Sequence, residues 1–396
     1  MKKIILLFIF ITSVILFFGF KEINQKDTKN NLVFWTLQLS AFDKYINNII
    51  SNFGEKNIKW VDVPYSEGEK RTLAAVLTDN PADLINLTPD FSILLAQKNA
   101  LFEIPKEAIQ NYNLIEALSL NGKYYGIPFY ATSAVTLYNK SLMGELKEIP
   151  KTYHEILSLK PPENTYITMI SFSENDTLLK ILNKYDINSP ETINSKESIS
   201  LFEKIKYAYD NRYIPVESVT QGHRDALEKY MAGQLVFLVT GANFLNMVKE
   251  NAPEVYKNTV VLPQLTGTTG KYDFSLMNFI IPLKAKHKDE ALNFALHFTN
   301  SENQLEFSKL TSVLPVNKDT LQDDFFKSSE NFDLQTQARI ISANQLNNMQ
   351  PPLRNIKNKK DLNILSSNVI QEILINNKDI KETLDTFSEK WKKIED

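Results

Sequence analysis

Six polar side chains stand at or just beyond the ends of short apolar runs: Gln38, Ser40, Glu67, Asp90, Ser173 and Asn243. Carboxylates, amides and hydroxyls in such places can pair with the hydroxyls of a polyol or sugar. Trp35 and Tyr130 can offer flat faces for stacking on the CH face of a sugar ring, and Ser66, Phe172 and Gly241 belong to the same stretches. Plainer roles compete at each position. Asp90 suits a helix start, and Trp35 sits beside apolar Val33 and Phe34. Other chemistries find less support. The four histidines, His154, His223, His287 and His297, are scattered, whereas a metal needs three or four converging ligands. The chain has no cysteine, which excludes disulfides, thiolate metal sites and a cysteine nucleophile. Gly267 and Gly270 lie in a loop that lacks the helix start of a phosphate cradle, so it reads as a surface loop. No Gly-x-Ser-x-Gly elbow occurs. The reading assigns no catalytic residue, no metal and no cofactor.

The elements that must position this set alternate between strand and helix. Leu32–Leu37, Ile58–Val63 and Asp83–Leu87 are runs of strand length. Between them, Phe42, Tyr45, Ile46, Ile49, Ile50 and Phe53 fall at helical spacing after a candidate cap at Ser40, and Leu73, Val76 and Leu77 mark a second helix. Thr88-Pro89-Asp90 reads as a cap followed by proline in the first turn. After residue 150 a second unit begins. Tyr166–Phe172 and Leu235–Val239 are strand-like, while Ile199, Phe202, Ile205 and Tyr209 mark a helix and Ala226–Met231 another. A strand at Phe279–Ile281 precedes a helix with Ala291, Phe294, Ala295 and Phe298 on one side, and Ser301 with Gln304 reads as a capping box. From Asn331 onward the pattern is helical, broken at Gln350-Pro351-Pro352. Such alternation predicts an α/β protein with mostly parallel sheets. In open parallel sheets ligands bind beyond the carboxyl ends of the strands, which is where the polar set stands.

With 396 residues the chain can hold two domains, and 43% hydrophobic with 23% charged residues is ordinary for a soluble globular protein. Lys plus Arg number 44 against 47 Asp plus Glu, and the one basic cluster is Lys357, Lys359 and Lys360, so no nucleic acid footprint is present. Lys2 and Lys3 precede an apolar run from Ile4 to Phe20, the charged and apolar regions of an export signal. The run is long for a signal and slightly short for a membrane span, and no small-x-small cleavage site follows it. Export is the expectation, with both cleavage and retention as an uncleaved anchor left open. Residues 21–30 read as a linker.

Several stretches, in this order, resemble the extracellular solute-binding proteins of ATP-driven (ABC) sugar importers, the family that includes maltose-binding protein. They are Leu32–Thr36, Asn80–Ile85 and Gly122–Phe129 with Leu137–Lys140, then Ile149–Ile156, Tyr230–Gly241, Ala291–Glu306 and Leu314–Val316. Together they span roughly residues 31 to 395. Two features depart from the family: Asn243 stands where an aromatic often stacks on the sugar, and the lipid-attachment cysteine is missing. Its absence implies a periplasm bounded by an outer membrane, or retention by the hydrophobic N-terminus.

The resemblance implies two α/β lobes of the type II periplasmic-binding-protein fold, joined by strands that cross between them. Carried over, one lobe holds 31–132 with 278–315 and the other 133–277 with 316–396, with crossings near 130–134 and 275–278. It further implies that Met277 and Asn278 face the cleft, and that Met349 and Arg354 flank the turn of the last helices toward it. The implied function is capture of a small solute, most simply a neutral sugar, by a monomer that closes about a hinge and delivers to permease subunits. Three alternatives stay open: an exported carbohydrate-acting hydrolase, a membrane-tethered sensory domain, and the same clamp for a phosphorylated polyol or other polar metabolite. The hydrolase would need a poised pair of carboxylates, for which Glu67 and Asp90 are the nearest candidates.

Overall fold

The computed structural model describes residues 31–54, 57–327, 333–350 and 358–395. The segment read as an export signal, Lys357 and Arg354 lie outside the described residues. In chain order the main elements are β1 (Leu32–Leu37), α1 (Asp43–Asn52), β2 (Ile58–Val63), α2 (Gly68–Val76), β3 (Leu84–Leu87) and α3 (Pro89–Gln97). Then come β4 (Ile127–Thr132), β5 (Ala134–Asn139), α4 (Tyr153–Leu157), α5 (Thr177–Lys184), α6 (Lys196–Asp210) and α7 (His223–Met231). The remainder is β6 (Phe237–Gly241), β7 (Thr259–Pro263), β8 (Ser275–Ile280), α8 (Lys288–Phe298), α9 (Ser301–Leu310), α10 (Leu334–Gln345), α11 (Lys359–Leu374) and α12 (Ile380–Glu395). Among the described residues, no helix is long and apolar enough to cross a membrane.

The chain forms two compact units: unit 1 runs to Phe129 and resumes at Met277–Phe307, and unit 2 is Tyr130–Leu276 with the chain from Ser308 on. The third passage falls between Phe307 and Ser308, where the resemblance implied Pro315. In unit 1 the strands lie in the order β4-β8-β3-β1-β2. β1 runs parallel to β2, with Leu32 opposite Ile58, and parallel to β3, with Phe34 opposite Leu84, while β8 is antiparallel to β3. All four residues of β3 are buried, as a strand covered on both faces must be. Phe34 meets the rings of Phe279, Phe294 and Phe298 edge-on at 5.5, 5.2 and 5.4 Å, contacts worth about 1 kcal/mol each beyond the area they bury.

Unit 2 departs from the parallel sheets expected. Its three strands lie in the order β6-β5-β7, and β5 runs antiparallel to both neighbours. β6 and β7 are joined through helices and point the same way, as a strand–helix–strand pattern demands. They are not neighbours, because β5, arriving directly from β4, lies between them. Alternate residues of β5 bury on opposite faces: Val135 and Leu137 join one core cluster, and Tyr138 joins another with Phe237, Leu262 and the last helices. The expected strand at Tyr166–Phe172 is reduced to a parallel bridge between Tyr166 and Leu235.

Local details correct three more expectations. Ser40 does not cap α1; it begins a short 3-10 turn, and its backbone N–H donates to Asp62 Oδ2 at 2.8 Å. In α2 the buried residues are Gly68, Thr72 and Val76, whereas Leu73 and, just past the helix, Leu77 are exposed. Ser301 is the first residue of α9, and the side chain of Asn300 accepts from the Asn303 N–H at 2.8 Å. Gln304 instead reaches across unit 1 and donates to the Phe129 carbonyl at 2.8 Å.

Candidate functional site

In unit 1 the ends of β1 and β2 are shaped by Asp62. Its carboxylate accepts from Thr36 Oγ1 at 2.7 Å, from Leu39 N–H at 2.9 Å and from Ser40 N–H at 2.8 Å. The indole N–H of Trp60 donates to Thr36 Oγ1 at 2.8 Å, completing a chain of bonds behind the loop. Gln38 is exposed and has φ 54°, a left-handed conformation that a non-glycine residue adopts only when its surroundings insist. Gln38 and Ser40 thus present their side chains to solvent from a fixed loop. Trp35 is half-buried on β1, and Asp90 is exposed in the first turn of α3. Ser66 and Glu67 are exposed, and Glu67 pairs with Arg71 one helical turn on at 2.5 Å.

Unit 2 contains a pocket of about 460 Å³, within the range of small-molecule sites. Its walls come from the start of β5, from residues 168–171, from the end of β6 and from the segment Asp273–Ser275. Thr168, Ser171, Thr240, Asn243 and Gln264 line it with amide and hydroxyl groups, and Tyr153, Phe244 and Phe274 bring aromatic rings. His223, at the start of α7, lies 2.9 Å from Thr240 Oγ1 through Nε2 and packs its ring edge-on to Phe244 at 5.3 Å. Burial holds the His223 imidazole below its ordinary value, with nearby Glu174 opposing that shift, so the ring is neutral at neutral pH. Glu174 Oε1 accepts the His223 backbone N–H at 2.5 Å, placing a carboxylate at the N-terminus of α7, where the helix dipole favours it. Asp273 also lines the pocket, and its Oδ2 lies 3.0 Å from the ammonium of fully buried Lys184.

Of the residues expected to bind, Gly241 and Asn243 line this pocket. Phe172 does not: at 2% exposure it packs in the core, because residues 168–172 run irregularly and are buried in succession instead of alternating. Ser173 is exposed and donates to the Gln221 carbonyl at 2.8 Å. Asn278 is 0% exposed inside unit 1, where its side-chain amide donates to Ser92 Oγ at 3.0 Å and its carbonyl accepts from Asn86 at 3.1 Å. Met277 is buried as well. Tyr130 is half-buried and pairs with Pro315, and half-buried Met349 bridges to Tyr272. The sequence reading gives His223, Glu174 and Asp273 no part in binding. His223 reads as one of four scattered histidines, and Asp273 follows a loop that reads as solvated. Among the described residues, no three His, Asp or Glu side chains converge to hold a metal.

Two units with a polar, aromatic-walled pocket define a class of binding protein. The profile of the bacterial extracellular solute-binding protein family matches residues 48–333, and the chain belongs to that family. A structure from Synechococcus sp. MITs9220, provisionally described as an oligosaccharide periplasmic-binding protein, is 26% identical at a TM-score of 0.80, covering 91% of this chain and 98% of its own. The extracellular solute-binding protein of Staphylococcus aureus, solved with maltose, shares the fold at 17% identity and a TM-score of 0.72, over 93% and 98% of the two chains. A binding protein of Brucella abortus (strain 2308), so described provisionally, is 23% identical over 231 residues. The chain spans about half the length of the curated relatives it matches (54%).

Proposed function

We propose that this chain captures a neutral sugar or short oligosaccharide in the unit 2 pocket and delivers it to the permease of an ATP-driven importer. The pocket carries the reading. It combines aromatic rings with amide and hydroxyl groups that can each donate or accept, as sugar hydroxyls require. Among the described residues no arginine lines it and Lys180 is the one lysine of the lining, whereas an anionic ligand would call for a bidentate guanidinium. Asp273 is balanced by Lys184, and Glu174 is engaged at the start of α7. The oligosaccharide description of the Synechococcus relative supports the same ligand class. On this reading the Lys2-Lys3 and Ile4–Phe20 segment exports the protein and either leaves it free or anchors it outside the cytoplasm.

Thermal melts with D-glucose, D-galactose, D-tagatose, maltose and maltotetraose test the proposal. A ligand at about 100 times its Kd adds roughly 2.7 kcal/mol to the apparent stability. At least one sugar should raise the melting temperature, and its affinity should change little between low and high salt. Binding confined to phosphorylated compounds, with steep salt dependence, overturns the neutral-sugar reading.

A further inference from the structure

We infer that the Asp273 carboxylate is a ligand-contacting acceptor of the unit 2 pocket, and that fully buried Lys184 is the residue that positions it. The inference rests on the sugar-binding reading above. Asp273 lines the pocket and its side chain keeps 18% of its surface exposed, while that of Lys184 keeps none. The three ammonium hydrogens of Lys184 have three partners: Gln264 Oε1 at 2.9 Å, the Leu265 carbonyl at 2.8 Å and Asp273 Oδ2 at 3.0 Å. The ammonium therefore has no donor left for a ligand. Asp273 Oδ1 has no hydrogen-bond partner among the described residues, so this oxygen is available to a hydroxyl entering the pocket.

The pair sits in a closed ring of polar bonds. Gln264 Oε1 accepts from the Asp273 N–H at 2.7 Å, and the Gln264 N–H donates to Gln345 Oε1 at 2.7 Å. Gln345 Nε2 donates to Ser133 Oγ at 2.7 Å, and Ser133 Oγ donates to the Asp273 carbonyl at 3.4 Å. The ring ties residues before β5 and β8 to α10 and fixes both the backbone and the side chain of Asp273. A buried ion pair is a poor device for stability alone, since apolar residues of the same volume often serve as well or better. Burial pushes the Lys184 ammonium down, and the adjacent Asp273 charge works against that shift. The ammonium thus depends on Asp273, and Asp273 is held through Oδ2. A carboxylate held this way accepts a charge-assisted bond from a sugar hydroxyl without first having to be ordered.

The test uses the tightest-binding sugar of the melting panel, titrated calorimetrically against wild type, Asp273→Asn, Lys184→Met and the Lys184→Met/Asp273→Asn pair. Far-UV circular dichroism and thermal melts report folding. Asp273→Asn should fold and lose affinity tenfold or more. Lys184→Met should lower both melting temperature and affinity. The pair should recover melting temperature relative to Lys184→Met alone, because no uncompensated charge remains, but should not recover affinity. That split separates positioning from support of the fold, and it can be read from the pair should either single variant fail to fold. Wild-type affinity in a folded Asp273→Asn or in the pair overturns the inference and leaves the sugar reading standing. Failure of wild type to bind any sugar of the panel overturns the reading, and the inference falls with it.

Discussion

Asp83 is 3% exposed, and its carboxylate accepts three backbone N–H groups: Val33 at 2.9 Å, Lys286 at 3.1 Å and His287 at 3.0 Å. It joins the start of β1 to the segment that enters α8, two parts of unit 1 far apart in sequence. Removing the acceptor leaves buried donors unsatisfied, at about 1–3 kcal/mol for each that water cannot reach. Asp83→Ala should therefore lower stability by about 2–4 kcal/mol in urea unfolding, with Asp83→Asn in between. A change below about 0.5 kcal/mol for Asp83→Ala would mean that water replaces the carboxylate. Asp62 gathers the loop at Leu39 and Ser40 in the same way, but on the exposed side, where water competes. Neither role could be read from hydrophobic spacing, because it depends on which distant backbone groups converge.

Elements carried by apolar spacing were legible before the structure. Phe202 and Ile205 in α6, and Ala291, Phe294, Ala295 and Phe298 in α8, all bury as their period requires. The partners of strands were less so. β6 reads as a continuous apolar run, which fits cover on both faces but says nothing of the direction of its neighbour. Of the binding set, Gly241 and Asn243 line the pocket, because the apolar run at Leu235–Val239 stops within two residues of the end of β6. Asn278 and Phe172 could not be placed, since a polar or aromatic residue at a strand end looks the same in sequence whether it faces water or a core. The Gly267 loop shows the same limit. It reads as solvated, yet a Cβ at Gly267 would lie 2.5 Å from the Lys184 carbonyl oxygen and 2.8 Å from the Tyr185 ring. The loop is pressed on the last turn of α5, beside the Lys184 ammonium. Gly267→Ala must push backbone from backbone and should cost about 1–3 kcal/mol. Urea unfolding checks this, and an unchanged midpoint would show that the loop gives way freely.

At the scale of the whole molecule, the titrating groups predict how stability responds to pH. Burial lowers both His154 and His223, the former with help from Lys204 and the latter against Glu174. A histidine depressed in the fold binds fewer protons than its unfolded counterpart at pH values just below about 6.5. The slope of stability with pH follows the difference in bound protons, unfolded minus folded, and that difference is positive here. Stability is thus complete above about pH 6.5 and falls as the pH drops through that value toward the lowered folded pKa values. The tyrosines act at the other end. Burial pushes Tyr185 up to about 12 and raises Tyr45, Tyr153 and Tyr230 as well. Above about pH 10 the unfolded chain loses phenolic protons that the folded chain keeps, so the difference turns negative and stability falls again. Melting temperatures measured across the range should form a plateau from about pH 7 to about pH 9.5 with a falling limb on each side. His154→Gln and His223→Gln, singly and together, should flatten the limb just below pH 6.5 and leave the alkaline limb in place. A wild-type melting temperature that holds or rises from about pH 6.5 to about pH 5.5 would contradict the histidine assignment, as would a fall across that same interval that survives in the double variant.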